Sequence, residues 1–155
     1  MRVSLKTLLH TKYNSSILLR AITFFNKNLI VMKNINILGT PLISCSFDPL
    51  TGYFRNGYCQ TDERDQGSHV IASVMSEEFL KFTKSLGNDL STPNPIYNFP
   101  GLKSGDRWCL CALRWKEAYD AGLAPFVIPE ATHKKALDYI ELSSLLEMSY
   151  IENVD

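Results

Sequence analysis

The sequence predicts an α+β fold: a single compact domain in which a small mixed sheet carries three to four short helices. Three observations lead there. The chain has 155 residues, 45% hydrophobic and 21% charged, which suits one soluble globular domain with a sizeable core. Apolar and β-branched runs at residues 69–75, 108–113 and 126–128 read as strands. Between and after them, cap and stop residues bracket short helical segments.

The elements follow in order. Residues 1–33 hold Arg2, Lys6, Lys12, Arg20, Lys27 and Lys33 and no acid, so this head carries +6. Residues 34–155, with ten basic against sixteen acidic residues, carry −6. The head has a transit-peptide composition, but the ordinary-looking start at Met32 favours an extension outside the fold. The folded domain is therefore placed at 34–155. Asn56-Gly57 predicts a type I′ hairpin with Phe54 across from Cys59. After the strand at 69–75, Ser76 is the predicted cap of a helix to about Leu86, with Glu77 and Glu78 in its first turn and Gly87 as its stop. Residues 88–106, with three prolines and two glycines, form a long irregular loop, and such loops are often functional. Residues 108–113 are apolar on both faces, as a central strand would be. A short helix at 114–121 stops at Gly122, Thr132 caps another to about Tyr139, and Ser143 caps the last.

An acidic body without a basic stripe argues against nucleic-acid binding. No apolar run reaches the roughly 18 residues needed to span a bilayer, so no membrane partner is expected. Four cysteines without the density of a secreted disulfide scaffold read as thiols of a reducing compartment, which makes the cytoplasm the expected location and an organelle the alternative if the head is a targeting segment.

The chemistry concentrates near Trp108-Cys109-Leu110-Cys111, where period-two alternation puts both sulfurs on one face. Cys59, His69, Cys109 and Cys111 are the candidate metal ligands, with zinc the candidate ion, although the usual C-x₂₋₄-C spacing is absent. Free cysteines are also among the most buried residues, so a core role competes. Cys59 as nucleophile, His69 as base and Asp106 as orienter are the catalytic candidates. Asp89, Asp106, Arg114 and His133 are candidate ligand-binding residues. Asp89 lies in a polar run equally suited to capping, Arg114 stands at a strand end where ligands gather, and His133 opens a predicted helix whose amides suit an anion.

Asn36-Ile-Leu-Gly39, Gly67-Ser-His69, Gly87-Asn-Asp-Leu-Ser-Thr-Pro93, Gly105-Asp-Arg-Trp-Cys-Leu-Cys-Ala112 and Ala131-Thr-His133 closely resemble an uncharacterised, mainly bacterial family, domain of unknown function 2237. The resemblance covers about residues 35–150 and implies a compact domain of about 120 residues starting near Met32. It implies no mechanism. The family pattern commonly has Cys-Cys at Tyr58-Cys59 and Glu at Lys134, which weakens a metal role at the first position and an anion site at the second. Asp48, His69, Asn88, Asp89, Asp106, Arg114 and His133 look like the family's shared polar set. The leading expectation is a small-molecule or metal-binding domain with a pocket of Cys59, His69, Cys109, Cys111 and Arg114. A cysteine-dependent enzyme, with Cys59 or Cys109 as nucleophile, and a structural or interaction domain with core cysteines are the alternatives.

Overall fold

The computed structural model describes residues 15–152, and its chain divides into two compact units between Lys33 and Asn34. In the first, α1 (Ser15–Lys33) exposes Ile17, Leu19, Phe24 and Phe25 among its apolar side chains. No helix among the described residues is long and apolar enough to cross a membrane. The basic residues Arg2, Lys6 and Lys12, on which the targeting alternative leans, lie outside the described residues.

The second unit has the expected α+β architecture. Three strands, β1 (His69–Val74), β2 (Arg107–Cys111) and β3 (Phe126–Val127), form a sheet of order β2-β1-β3 whose two ladders are antiparallel. A parallel bridge joins Val127 to Ser149. The helices are α2 (Glu77–Ser85), α3 (Ala112–Asp120) and α4 (Leu142–Glu147), with 3₁₀ turns at Pro95–Tyr97, Pro129–Ala131 and Lys134–Asp138. α2 forms as its sequence predicts: the Ser76 hydroxyl accepts the Phe79 N–H at 3.1 Å, two glutamates meet the positive helix end, and Gly87 leaves it at φ 87°. Its buried Phe79 and Leu80 join Val70, Ile71, Leu110, Trp115 and Leu145 in the main core. A smaller cluster holds Cys45, Cys59, Ala72, Cys109 and Ala131.

Four local expectations change. The strand at 107–111 lies at the sheet edge and β1 is central. From Trp108 onward β2 is apolar even at the edge, where a side chain takes up a free amide: the Thr51 hydroxyl accepts the Cys109 N–H at 2.9 Å, replacing a ladder partner. No type I′ hairpin forms at Asn56-Gly57. The positive φ angles fall on Arg55 and Gly57, while the Asn56 amide oxygen accepts the Tyr58 N–H, so Phe54 and Cys59 do not pair as strand neighbours. His133, and not Thr132, caps the turn at 134–138, its Nδ1 accepting the Lys135 N–H. Thr132 faces inward instead, accepting the Ala72 N–H and donating to the Ile128 carbonyl. Finally, α3 starts at Ala112 and α4 at Leu142, with Glu141 at the cap position in place of Ser143.

Candidate functional site

The four sulfurs separate into two groups. Cys59 and Cys109 form a disulfide, their Cα atoms 5.3 Å apart across the gap between the 51–58 turns and β2. Cys45 is a free thiol whose sulfur lies with theirs, all three within 4.8 Å of one another and all buried. Burial pushes the Cys45 thiol up to about 12, against the opposing pull of the Arg107 charge. This corrects the expectation of four reduced thiols. It also removes Cys59 and Cys109 as nucleophiles, because neither has a thiol to ionise. The expected quartet Cys59, His69, Cys109 and Cys111 does not converge: among the described residues, the group of candidate metal ligands that does is Cys45, Cys59 and Cys109. With two of these sulfurs bonded to each other, thiolate ligation of zinc has no basis in this state.

A pocket of about 490 Å³ opens where the β2 edge meets the 52–55 turn and the 88–99 loop. Tyr53, Tyr97, Phe99 and Trp108 supply aromatic surface, and His69, Arg55, Asn88, Asp89 and Asn94 supply polar groups. Cys109 reaches the wall through its strand, and Cys111 lies one alternation further along the same face. The Phe99 and Trp108 rings meet edge to face at 5.4 Å. The Arg55 guanidinium lies 4.8 Å over the Trp108 ring, and partial burial of its head pulls its pKa below the ordinary value.

His69 is held from three sides. Its Nδ1 is 2.6 Å from Asp65 Oδ1, and the Asp65 side chain has no solvent exposure. The Tyr53 ring stacks on the imidazole at 6.3 Å and 15°. Gly67 lies so close that a Cβ there would come within 2.5 Å of His69 Cε1. Asp65 is itself fixed, accepting from the Thr61 hydroxyl at 3.0 Å and the His69 backbone N–H at 2.8 Å.

The remaining predicted site residues disperse. Asp89 lines the pocket, but its carboxylate accepts from the Thr92 hydroxyl and the Ser91 and Thr92 N–H groups, which hold it well below the usual carboxylate range. Capping is therefore its visible role. Asp106 is outside the pocket lining and accepts the Lys103 N–H, so it is not the partner of His69. Arg114 is absent from the pocket wall and pairs with Glu117 on α3. His133 is buried as a cap residue that also bridges to Asn36, away from the pocket lining. Sequence reasoning missed Asp65 and the aromatic wall. Asp65 stands four residues before His69 in a polar loop, a spacing that was visible without a reason to read it. Arg55 and Trp108 were visible too, but their pairing depends on the tertiary approach of two loops.

A family model described as "uncharacterized protein conserved in bacteria (DUF2237)" matches residues 35–149. No curated protein matches the chain.

Proposed function

Because the chain belongs to that uncharacterised bacterial family, whose description assigns no activity, we propose a function from the pocket: binding of a small molecule with a planar, partly apolar ring. The observation that carries this reading is a pocket lined by four aromatic side chains together with a histidine locked by a buried carboxylate. Ligand sites are concave, mostly apolar and about 300–1,000 Å³, with a few placed polar groups. The pocket at about 490 Å³ falls in that range, and aromatic side chains offer a large contact area with few rotatable bonds.

Protein-observed NMR with a panel of aromatic carboxylates and amides tests it. Shift changes grouped on Tyr53, His69 and Trp108, with affinities of about 1 mM or better, are expected. Changes scattered over the surface, or none on these residues, refute the proposal.

A second reading rests on the three clustered sulfurs, whose reduction would present thiolates suited to zinc or a softer ion. Elemental analysis of reduced, metal-exposed protein decides it: one equivalent lost on Cys45→Ala supports it, and less than about 0.1 equivalents overturns it. A cytoplasmic location belongs to the same set of proposals and has a consequence. In a reducing cytosol Cys59 and Cys109 stay bonded only if the pair is more reducing than the glutathione pool, which equilibration with glutathione measures.

A further inference from the structure

Cys111 is the cysteine that neither the disulfide nor the buried sulfur cluster takes up. It is the last residue of β2 and the N-cap residue of α3, and its side chain makes no bond into the helix. The residue therefore stands at the positive end of a nine-residue helix dipole, where the Ala112 N–H is taken up by the Ser68 carbonyl and the next first-turn amides have no intrahelical acceptor. In the β1–β2 register Cys111 is paired with His69, and both residues line the pocket. The register shifts by one residue between His69 and Ile71, so Cys111 and His69 are neighbours across a bulge at the end of the ladder, and both border the pocket. With Nδ1 committed to Asp65, the His69 ring has Nε2 left for a partner. Cys111 is partly exposed, so a small molecule in the pocket has access to it.

We propose that Cys111 is a nucleophile for acyl transfer, with His69 as its general base and Asp65 as the positioning residue that orients the imidazole. The substrate class is a small activated ester or thioester that carries a planar ring, a choice that rests on the pocket reading above. The Cys111 Sγ–H proton passes to His69 Nε2 as the sulfur bonds to the carbonyl carbon. The first-turn amides of α3 after Ala112, whose N–H is bonded to the Ser68 carbonyl, serve as the donors to the developing oxyanion in this proposal. The bond from the carbonyl carbon to the leaving oxygen or sulfur breaks, and the leaving group takes the proton from His69. Water then attacks the acyl-cysteine and gives a proton to His69. The acid departs, and the sulfur recovers its proton.

The test uses the oxidised full chain with 4-nitrophenyl acetate as the acyl donor and 4-nitroacetanilide as an unreactive analogue of similar shape. Peptide mapping is expected to find acetyl on Cys111, and the burst of nitrophenolate is expected to vanish in Cys111→Ser. His69→Asn and Asp65→Asn, checked for folding by circular dichroism, are expected to slow acylation about 100-fold or more. Rates within twofold of wild type in both folded variants overturn the proposal. Should both variants unfold, the wild type alone decides: Cys111 acylated about 100-fold faster than free N-acetylcysteine supports it, and a rate no faster overturns it. NMR with the anilide separates the two readings. Pocket shifts without Cys111 acylation leave the binding reading standing and sink the nucleophile, whereas neither shifts nor acylation sinks both.

Discussion

Reducing the Cys59–Cys109 bond, without any substitution, should cost this domain about 4 kcal/mol. The two cysteines are 50 residues apart. In the chain-entropy account, cross-linking a loop of that length removes about 14 cal/mol/K from the unfolded ensemble, or about 4 kcal/mol at 25 °C. Domains of this size are stable by about 5–15 kcal/mol, so the loss is a large share of the total. Urea unfolding at pH 7, with and without excess reductant, measures it directly. The midpoint should fall in reductant, and the slope should rise as the denatured chain expands. Thiol counting supplies the control. Denatured, unreduced protein should titrate two thiols, Cys45 and Cys111. Midpoints that agree with and without reductant would refute the reasoning, as would four titrating thiols. A mapped bond from Cys45 to either partner would refute the pairing itself.

Three further outcomes follow from the same geometry. Thr51→Val keeps the side-chain volume but leaves the buried Cys109 N–H without an acceptor, and urea unfolding should show a loss of about 1–3 kcal/mol. An unchanged stability would mean that the β2 edge is satisfied some other way. Asn36 is buried with its amide donating to Thr40 Oγ1 and the Glu130 carbonyl while its oxygen accepts from Leu38 and Thr40 N–H groups, so Asn36→Ala should cost about 2–4 kcal/mol in the same assay. The Cys45 thiol, raised from 9.0 to about 12, contributes stability in full below pH 9 and loses it as pH rises from 9 toward 12. Between pH 7 and pH 10 that loss is about 1.4 kcal/mol. Cys45→Ala should show a correspondingly smaller fall over this interval, and equal falls in the two proteins would exclude Cys45 as the source.

The elements that rest on local chemistry were legible in the sequence. Ser76 with two following glutamates specifies the start of α2, and Gly87 its end, because every term is settled within one turn. The three strands were legible as apolar runs, but their order was not. An apolar strand reads as central unless one knows that Thr51, 58 residues away from Cys109, caps its edge. The hairpin failed for the same reason. Asn56-Gly57 has the local signature, yet the Cys45 and Ser46 N–H groups both reach for the Gly57 carbonyl, and the 51–58 segment is shaped by packing against Cys109. At the site, His69 and the Cys-x-Cys strand were readable as polar and sulfur groups of interest. Their true partners, Asp65 and Cys59, were not, because a distance of four residues in a loop and one of fifty across the fold carry no sequence signal of contact.

The Cys-x-Cys pair shows why alternation alone does not assign a role. Cys109 and Cys111 point to one side of β2, and a uniform strand would give them one environment. The strand is not uniform, because it ends at Cys111. Two residues earlier the Cys45–Cys59 layer covers the face, so Cys109 is sealed and oxidised. At Cys111 that layer has run out, the chain turns into α3, and the register neighbour across a bulge in β1 is His69, bound to a buried carboxylate and open to the pocket. The covalent bond at Cys109 also fixes the strand that carries Cys111, so the sealed sulfur acts as an anchor for the accessible one. On this view reduction should loosen the pocket as well as destabilise the fold. The acylation of Cys111 should therefore slow in reduced protein even where the chain remains folded, and an acylation rate indifferent to the Cys59–Cys109 bond would separate the two sulfurs' roles altogether.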